Sequence, residues 1–201
     1  MAKSDTVERR SAYHHGDLRG ALILATRQLI EEKGIDHFSV SDACRLAGVS
    51  TAAPYKHFKS KEGMVEAAVV DAMERHHAGL VEDIAKTEKG SMERIVAMGL
   101  NYIGFAVSEP AMFKLRFGHN EPEDSATSVA GQEVYLAVQE EVRAALREPV
   151  INDRVLERSF MLWSFVHGLS YLSMNPNHLD KSGSQPLEPL LHNVARRVLA
   201  D

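Results

Sequence analysis

The stretch HFSVSDACRLAGVSTAAPYKHFKSKE, residues 37–62, constrains the fold more than any other part of the chain. Ser39 or Ser41 can open a short helix that ends at Gly48. Ser50 or Thr51 can open a second that ends at Phe58, and Ser60 a third. Ser and Thr suit these positions because their side-chain oxygens take up a free N–H of the first helical turn. Gly suits the end because it adopts the left-handed backbone there. Two short helices joined by a tight turn form a helix-turn-helix. Val49 and Phe58 are its apolar anchors, and Cys44 falls on the inner face beside Ala43 and Ala47, as a small core residue does.

The remaining pattern is helical. Asp17 is an N-cap, and Leu18, Ala21, Leu22, Ala25 and Leu29 recur at three- and four-residue steps before Gly34. A long fourth helix runs from Ser60 towards Thr87. Beyond Gly90-Ser91, helices are expected over about 91–107 and 109–117, divided at Glu109-Pro110. The polar segment 118–127 is a loop, and helices over about 128–147 and 152–174 follow it. After a second loop, Leu187, Leu190, Leu191, Val194, Val198 and Leu199 stripe a final helix. The expectation is an all-α chain of about nine helices, without strands or repeats. It divides into a flexible arm (1–13), a three-helix helix-turn-helix domain (14–62) and a helical ligand-binding and dimerisation domain (63–201).

Composition narrows the setting. The chain has 201 residues, 44% hydrophobic and 25% charged, in the ordinary globular range. No apolar run approaches the roughly 18 residues of a membrane span. The polar N-terminus lacks a signal-peptide core, and the single cysteine, Cys44, has no partner within the chain. A cytoplasmic protein without a membrane role is expected. Residues 1–62 carry 10 Lys/Arg against 8 Asp/Glu, and the rest 13 against 20. A mildly basic front on an acidic body suits a local nucleic-acid surface.

In a helix-turn-helix the start of the second helix approaches base edges in the major groove. Thr51, Ala52 and Ala53 stand there, and Thr51 can bond a base or touch a thymine methyl. Tyr55, Lys56 and His57 reach phosphates from one end, although Tyr55 fits the apolar anchors equally well. Lys61 does so from the other, beside the N-terminus of the next helix. The helix-start hydroxyls Ser39, Ser41 and Ser50 complete the DNA-facing set.

GVSTAAPYKHFKSKEG (48–63), with the ramp LATRQLIEEKGIDHFSVSDACRLAGVS before it, resembles the DNA-binding domain of the tetracycline-repressor (TetR) family of bacterial transcription regulators over residues 14–72. Pro54 departs from the pattern, since the family usually has an apolar residue there. Proline is tolerated only in a first helical turn, so the helix is expected to start near Thr51. The resemblance implies a homodimer on a palindromic double-stranded operator.

RSFMLWSFVHGLSYL (158–172) is apolar nearly all round, as a helix buried on two sides is. One face carries Phe160, Trp163, His167 and Tyr171, the other Leu162, Phe165, Val166, Leu169 and Leu172. Together with the final helix this suggests a dimer built as a four-helix bundle, with Leu162, Phe165, Val166, Leu169, Leu187, Leu190, Leu191, Val194 and Val198 at the interface. WSFVHG (163–168) resembles the Trp-x-x-x-His-Gly motif of one TetR-like C-terminal domain type, and YHHGDLR (13–19) fits the same subgroup. His167 reads equally as a buried core histidine or as the polar anchor of a ligand pocket.

Met98, Tyr102, Phe105, Met112, Phe113, Arg116 and Phe117 are the other candidate pocket walls, with Trp163 and His167. Arg116 either counters an acidic ligand or faces solvent. Catalytic and metal roles find no support. His14-His15 and His76-His77 are adjacent pairs, and neighbours on a helix point about 100 degrees apart rather than at one ion. No cofactor is expected. The expected function is a DNA-binding transcriptional regulator, a repressor released from its operator by a small, mostly apolar ligand. The alternative is a helical small-molecule-binding protein or enzyme with a vestigial DNA-binding domain.

Overall fold

A computed structural model describes residues 17–118, 125–175 and 186–200. The expected arm and the loop segments 119–124 and 176–185 lie outside them. Among the described residues there are eight α-helices and no strand. They are α1 (Leu18–Lys33), α2 (Val40–Ala47), α3 (Lys61–Ile84), α4 (Met92–Ser108), α5 (Pro110–Gly118), α6 (Ala126–Ala145), α7 (Asp153–Ser173) and α8 (Leu187–Leu199). The chain forms two compact units that meet at Asp71 and Ala72, within α3. This division falls nine residues beyond the 62/63 boundary expected from the sequence. Met64 and Ala68 are buried, and Arg27 Nη1 donates to Asp71 Oδ2 at 3.1 Å, tying the first half of α3 to α1.

In the first unit, Asp17 caps α1, its Oδ1 accepting from the Gly20 N–H at 2.8 Å. Leu22, Ile23, Ala25, Leu29 and Ile30 form the buried face of α1. Ser39, not Ser41, caps α2 by accepting from the Asp42 N–H at 3.1 Å, and Gly48 ends it in the left-handed region at φ 70°.

The expected third helix, from Ser50 or Thr51 to Phe58, is instead a turn followed by a 3₁₀ turn at Pro54–Lys56. Ala53 N–H donates to the Ser50 carbonyl at 3.0 Å. Pro54 has no N–H to continue the ladder. The chain closes again when the His57 and Phe58 N–H groups both donate to the Pro54 carbonyl, at 2.9 and 2.8 Å.

In the second unit, α4 is the central helix, packed on α7 and α8. Val96 and Ile103 of α4 meet Val166, Leu169 and Leu191, while Ile95 meets Val142, Val155 and Ala195. Ser91, Ser125 and Asn152 cap α4, α6 and α7. Glu109, held off the helical region before Pro110, turns α5 by 103° from α4. Among the described residues no single helix is long and apolar enough to cross a membrane.

Candidate functional site

The turn after α2 is an exposed edge. Ser50, Thr51 and Ala52 are open to solvent, with Ala53 half-buried beside them. Tyr55 is 69% exposed, too open to serve as core, and Lys56 and His57 are exposed with it. Phe58 turns inward under the Arg19 guanidinium, which lies 5.5 Å from its ring centroid. Lys61 Nζ stands 5.4 Å over the Phe38 ring. Ser41 is exposed, whereas the Ser39 hydroxyl is committed to its cap and donates to Asp42 Oδ2 at 2.9 Å. That bond, helped by Lys33 and Arg45, holds the Asp42 carboxyl below the usual carboxylate range.

The second unit encloses a cavity of about 430 Å³, within the roughly 300–1,000 Å³ of small-molecule sites. Its walls come from six helices. Among the residues singled out in sequence, Met98, Tyr102, Phe105, Arg116, Phe117 and Trp163 line it. Met112, Phe113 and His167 do not. Met112 and Phe113 are fully buried, while the His167 ring packs behind the wall with its centroid 4.7 Å from Phe117 and 5.5 Å from Trp163.

The residues read as a dimer interface turn inward. Leu162, Phe165, Val166, Leu191 and Val194 line the cavity of a single chain. Leu169 and Val198 are buried, and Leu187 and Leu190 pack half-buried on the α4–α7–α8 core. The apolar face that α7 leaves open holds Phe160, Met161 and Leu172. A helix apolar all round has no amphipathic phase by which its inward side could be chosen.

Sequence reasoning missed the α3 and α6 walls, Met73, His76 and Leu80 on one and Gly131, Gln132 and Tyr135 on the other. The spacing of 73, 76 and 80 on a helix already expected was the available signal. His76 stacks on Phe105, with centroids 4.8 Å apart and planes 20° from parallel. Burial, then the neighbouring His77, depress its pKa to about 4 against the pull of Glu109, so the ring is neutral at pH 7. Burial likewise raises the Tyr102 phenol and lowers His167, and the two are hydrogen-bonded at 2.9 Å through Tyr102 Oη and His167 Nδ1. Among the described residues Arg116 is the one Asp, Glu, Lys or Arg in the lining. Among the described residues no group of three or more His, Cys, Asp or Glu could hold a metal ion.

Two family models match the chain. The one described as bacterial regulatory proteins, TetR family, covers residues 22–68, and the one described as tetracyclin repressor-like, C-terminal domain, covers 95–198. The HTH-type transcriptional regulator EthR of Mycolicibacterium smegmatis is 35% identical over 107 residues, 51% of this chain. That stretch spans about half the length of the relative, 48%. A protein of unknown function from Rhodococcus sp. RHA1 has the same fold at TM-score 0.75 and 23% identity, over 94% of this chain and 96% of that one. The transcriptional regulator FadR from Bacillus subtilis, solved in complex with stearoyl-CoA, superposes at TM-score 0.66 and 16% identity, over 90% and 97%.

Proposed function

Because the chain belongs to the tetracycline-repressor family of bacterial regulatory proteins, we propose that it is a homodimeric, cytoplasmic transcriptional regulator that holds a palindromic operator until a small, mostly apolar ligand enters its C-terminal unit. One observation carries this: a single chain joins an exposed helix-turn-helix edge to an apolar cavity of about 430 Å³. Thr51 and Ala52 approach base edges, while Tyr55, Lys56, His57 and Lys61 meet phosphates. FadR, crystallised with stearoyl-CoA, is a precedent for a ligand in this fold. Among the described residues the cavity lining holds no carboxylate and no thiol, so these offer neither an acid–base pair of carboxyls nor a cysteine nucleophile.

The coupling runs through α3. Its residues before Ala72 belong to the first unit, and Met73, His76 and Leu80 line the cavity in the second. A ligand pressed against those three side chains biases the position of the whole helix. The two recognition edges of a dimer then no longer match half-sites about one DNA turn apart. The dimer forms over the outward face of α7, where Phe160, Met161 and Leu172 are exposed. Among the described residues, its own turn of helix aside, nothing lies within 4 Å of a Cβ built on Gly168, which leaves room for a partner helix.

Selection of bound duplexes from a random pool, followed by titration at about 150 mM salt, tests the DNA role. A palindromic consensus bound about a thousandfold more tightly than random duplex is expected. Its affinity should fall steeply with salt, and the slope should flatten in Lys56→Ala and Lys61→Ala. Equal affinity for selected and random DNA would overturn the assignment.

A further inference from the structure

We propose that the ligand of this cavity is an amphiphilic monoanion, an apolar body carrying one carboxylate, whose charge is paired by Arg116. The proposal rests on reading the cavity as the effector site and says which chemical class the site selects.

Arg116 stands on α5, in a lining otherwise uncharged among the described residues. Its Nε is fully buried and has no hydrogen-bond partner. Among the described residues no carboxylate lies within ion-pair distance of its guanidinium. The Phe117 ring, 5.1 Å from Cζ, offers a face to the cation but accepts none of its five N–H groups. Arg116 as a whole is half-buried, and a buried N–H left unmet in an apolar surround costs free energy. Two described carboxylates of the same unit hold other partners. Glu109 holds Arg75 through two hydrogen bonds of 2.7 and 3.0 Å, and Glu141 holds Arg94. His76 is neutral at pH 7, and Tyr102 and Gln132 carry no charge there. Among the described residues the cavity is thus a hydrophobic space with one charged side chain, that of Arg116, and the guanidinium fork matches the two oxygens of a carboxylate.

Gly131 gives the charge its present position. A Cβ at position 131 would lie 2.0 Å from Arg116 Nη2 and 2.9 Å from its Cζ, so alanine there would make the guanidinium swing aside. Its chemistry and its position are therefore separable. Arg116→Gln removes the charge, and Gly131→Ala displaces the charge while keeping the residue.

The experiment compares matched probes, decanoate, decanol and decylamine in one series and 4-phenylbutyrate, 4-phenylbutanol and 4-phenylbutylamine in another. Quenching of Trp163, the sole tryptophan and a wall of the cavity, reports binding to the full-length protein at pH 7.5. In at least one series the carboxylate should bind tenfold or more tightly than the alcohol, with the amine weakest. Arg116→Gln and Gly131→Ala should each bring carboxylate and alcohol to within about threefold of one another, with alcohol affinity near that of the wild type. Preference for the alcohol or amine in both series, or an undiminished carboxylate preference in Arg116→Gln, would overturn the anion assignment while leaving an apolar effector site in place. Absence of binding by all six probes would overturn both.

Discussion

Tyr102 Oη lies 2.9 Å from His167 Nδ1, and that bond separates a cavity wall from its support: Tyr102 lines the cavity and His167 stands behind it. The imidazole also packs on Phe113, Phe117, Trp163 and Tyr171, with ring centroids 4.7 to 5.6 Å away. His167→Ala should therefore destabilise the protein by about 2–4 kcal/mol, through a void and a stranded phenol. Tyr102→Phe, which removes only the hydroxyl, should cost about 1 kcal/mol. Urea unfolding at constant m-value measures both. A stable His167→Ala variant with weakened probe binding would instead place His167 in direct contact with ligand.

Stability should fall as the solution is acidified from pH 6.5 towards 4, with His76 as one cause. Its folded pKa is depressed to about 4, so in that window the unfolded chain binds a proton that the native state does not. The stabilising contribution is complete above the unfolded value near 6.5 and is lost progressively below it. One such proton contributes up to about 1.4 kcal/mol per pH unit. The difference in unfolding free energy between wild type and His76→Phe, measured at pH 7, 6 and 5, should narrow or change sign on acidification. A difference independent of pH would show that His76 titrates normally in the fold.

Arg94 and Glu141 form a buried junction between the start of α4 and the end of α6. Glu141 Oε1 accepts from Arg94 Nη1 at 3.1 Å, and Oε2 accepts from the Gly90 N–H at 2.9 Å. Arg94 also donates to the Thr87 carbonyl and hydroxyl. Glu141→Leu leaves the guanidinium charge without its carboxylate and should cost about 3–5 kcal/mol. Arg94→Met combined with Glu141→Leu should recover much of that loss, because no charge is then left buried. Additive losses in the thermal midpoints would show that the two residues act independently.

Phe160→Glu and Leu172→Glu should produce folded monomers, since both residues are exposed on the single chain. Leu169→Glu and Leu191→Glu should unfold the second unit instead, because each places a carboxylate in its core. Sedimentation velocity with far-UV circular dichroism distinguishes the outcomes. Dimeric Phe160→Glu and Leu172→Glu variants would move the interface away from this face of α7.

Much of the fold was legible along the chain. Asp17, Ser91 and Asn152 stand where helices begin, and Gly34 and Gly48 where they end, because capping is settled within about four residues of the cap. Pro54 was visible as a departure, but its effect was underestimated. Its missing N–H reduces the expected third helix to a turn and a 3₁₀ turn rather than only fixing its start near Thr51.

The cavity was only partly legible. Tyr102, Phe105, Arg116 and Trp163 could be picked out as aromatic or charged residues on apolar helices, whereas Met112 and Phe113 of the same appearance are solid core. The sequence by itself determined the helices, their order and the helix-turn-helix string, all of which follow from hydrogen bonds and apolar steps between near neighbours. Only the tertiary structure decided which side of α7 faces inward, that α3 and α6 wall the cavity, and that Gly131 makes room for Arg116. Those outcomes depend on packing between helices far apart in the chain, and an evenly apolar helix such as α7 carries no local mark of the side its neighbours will cover.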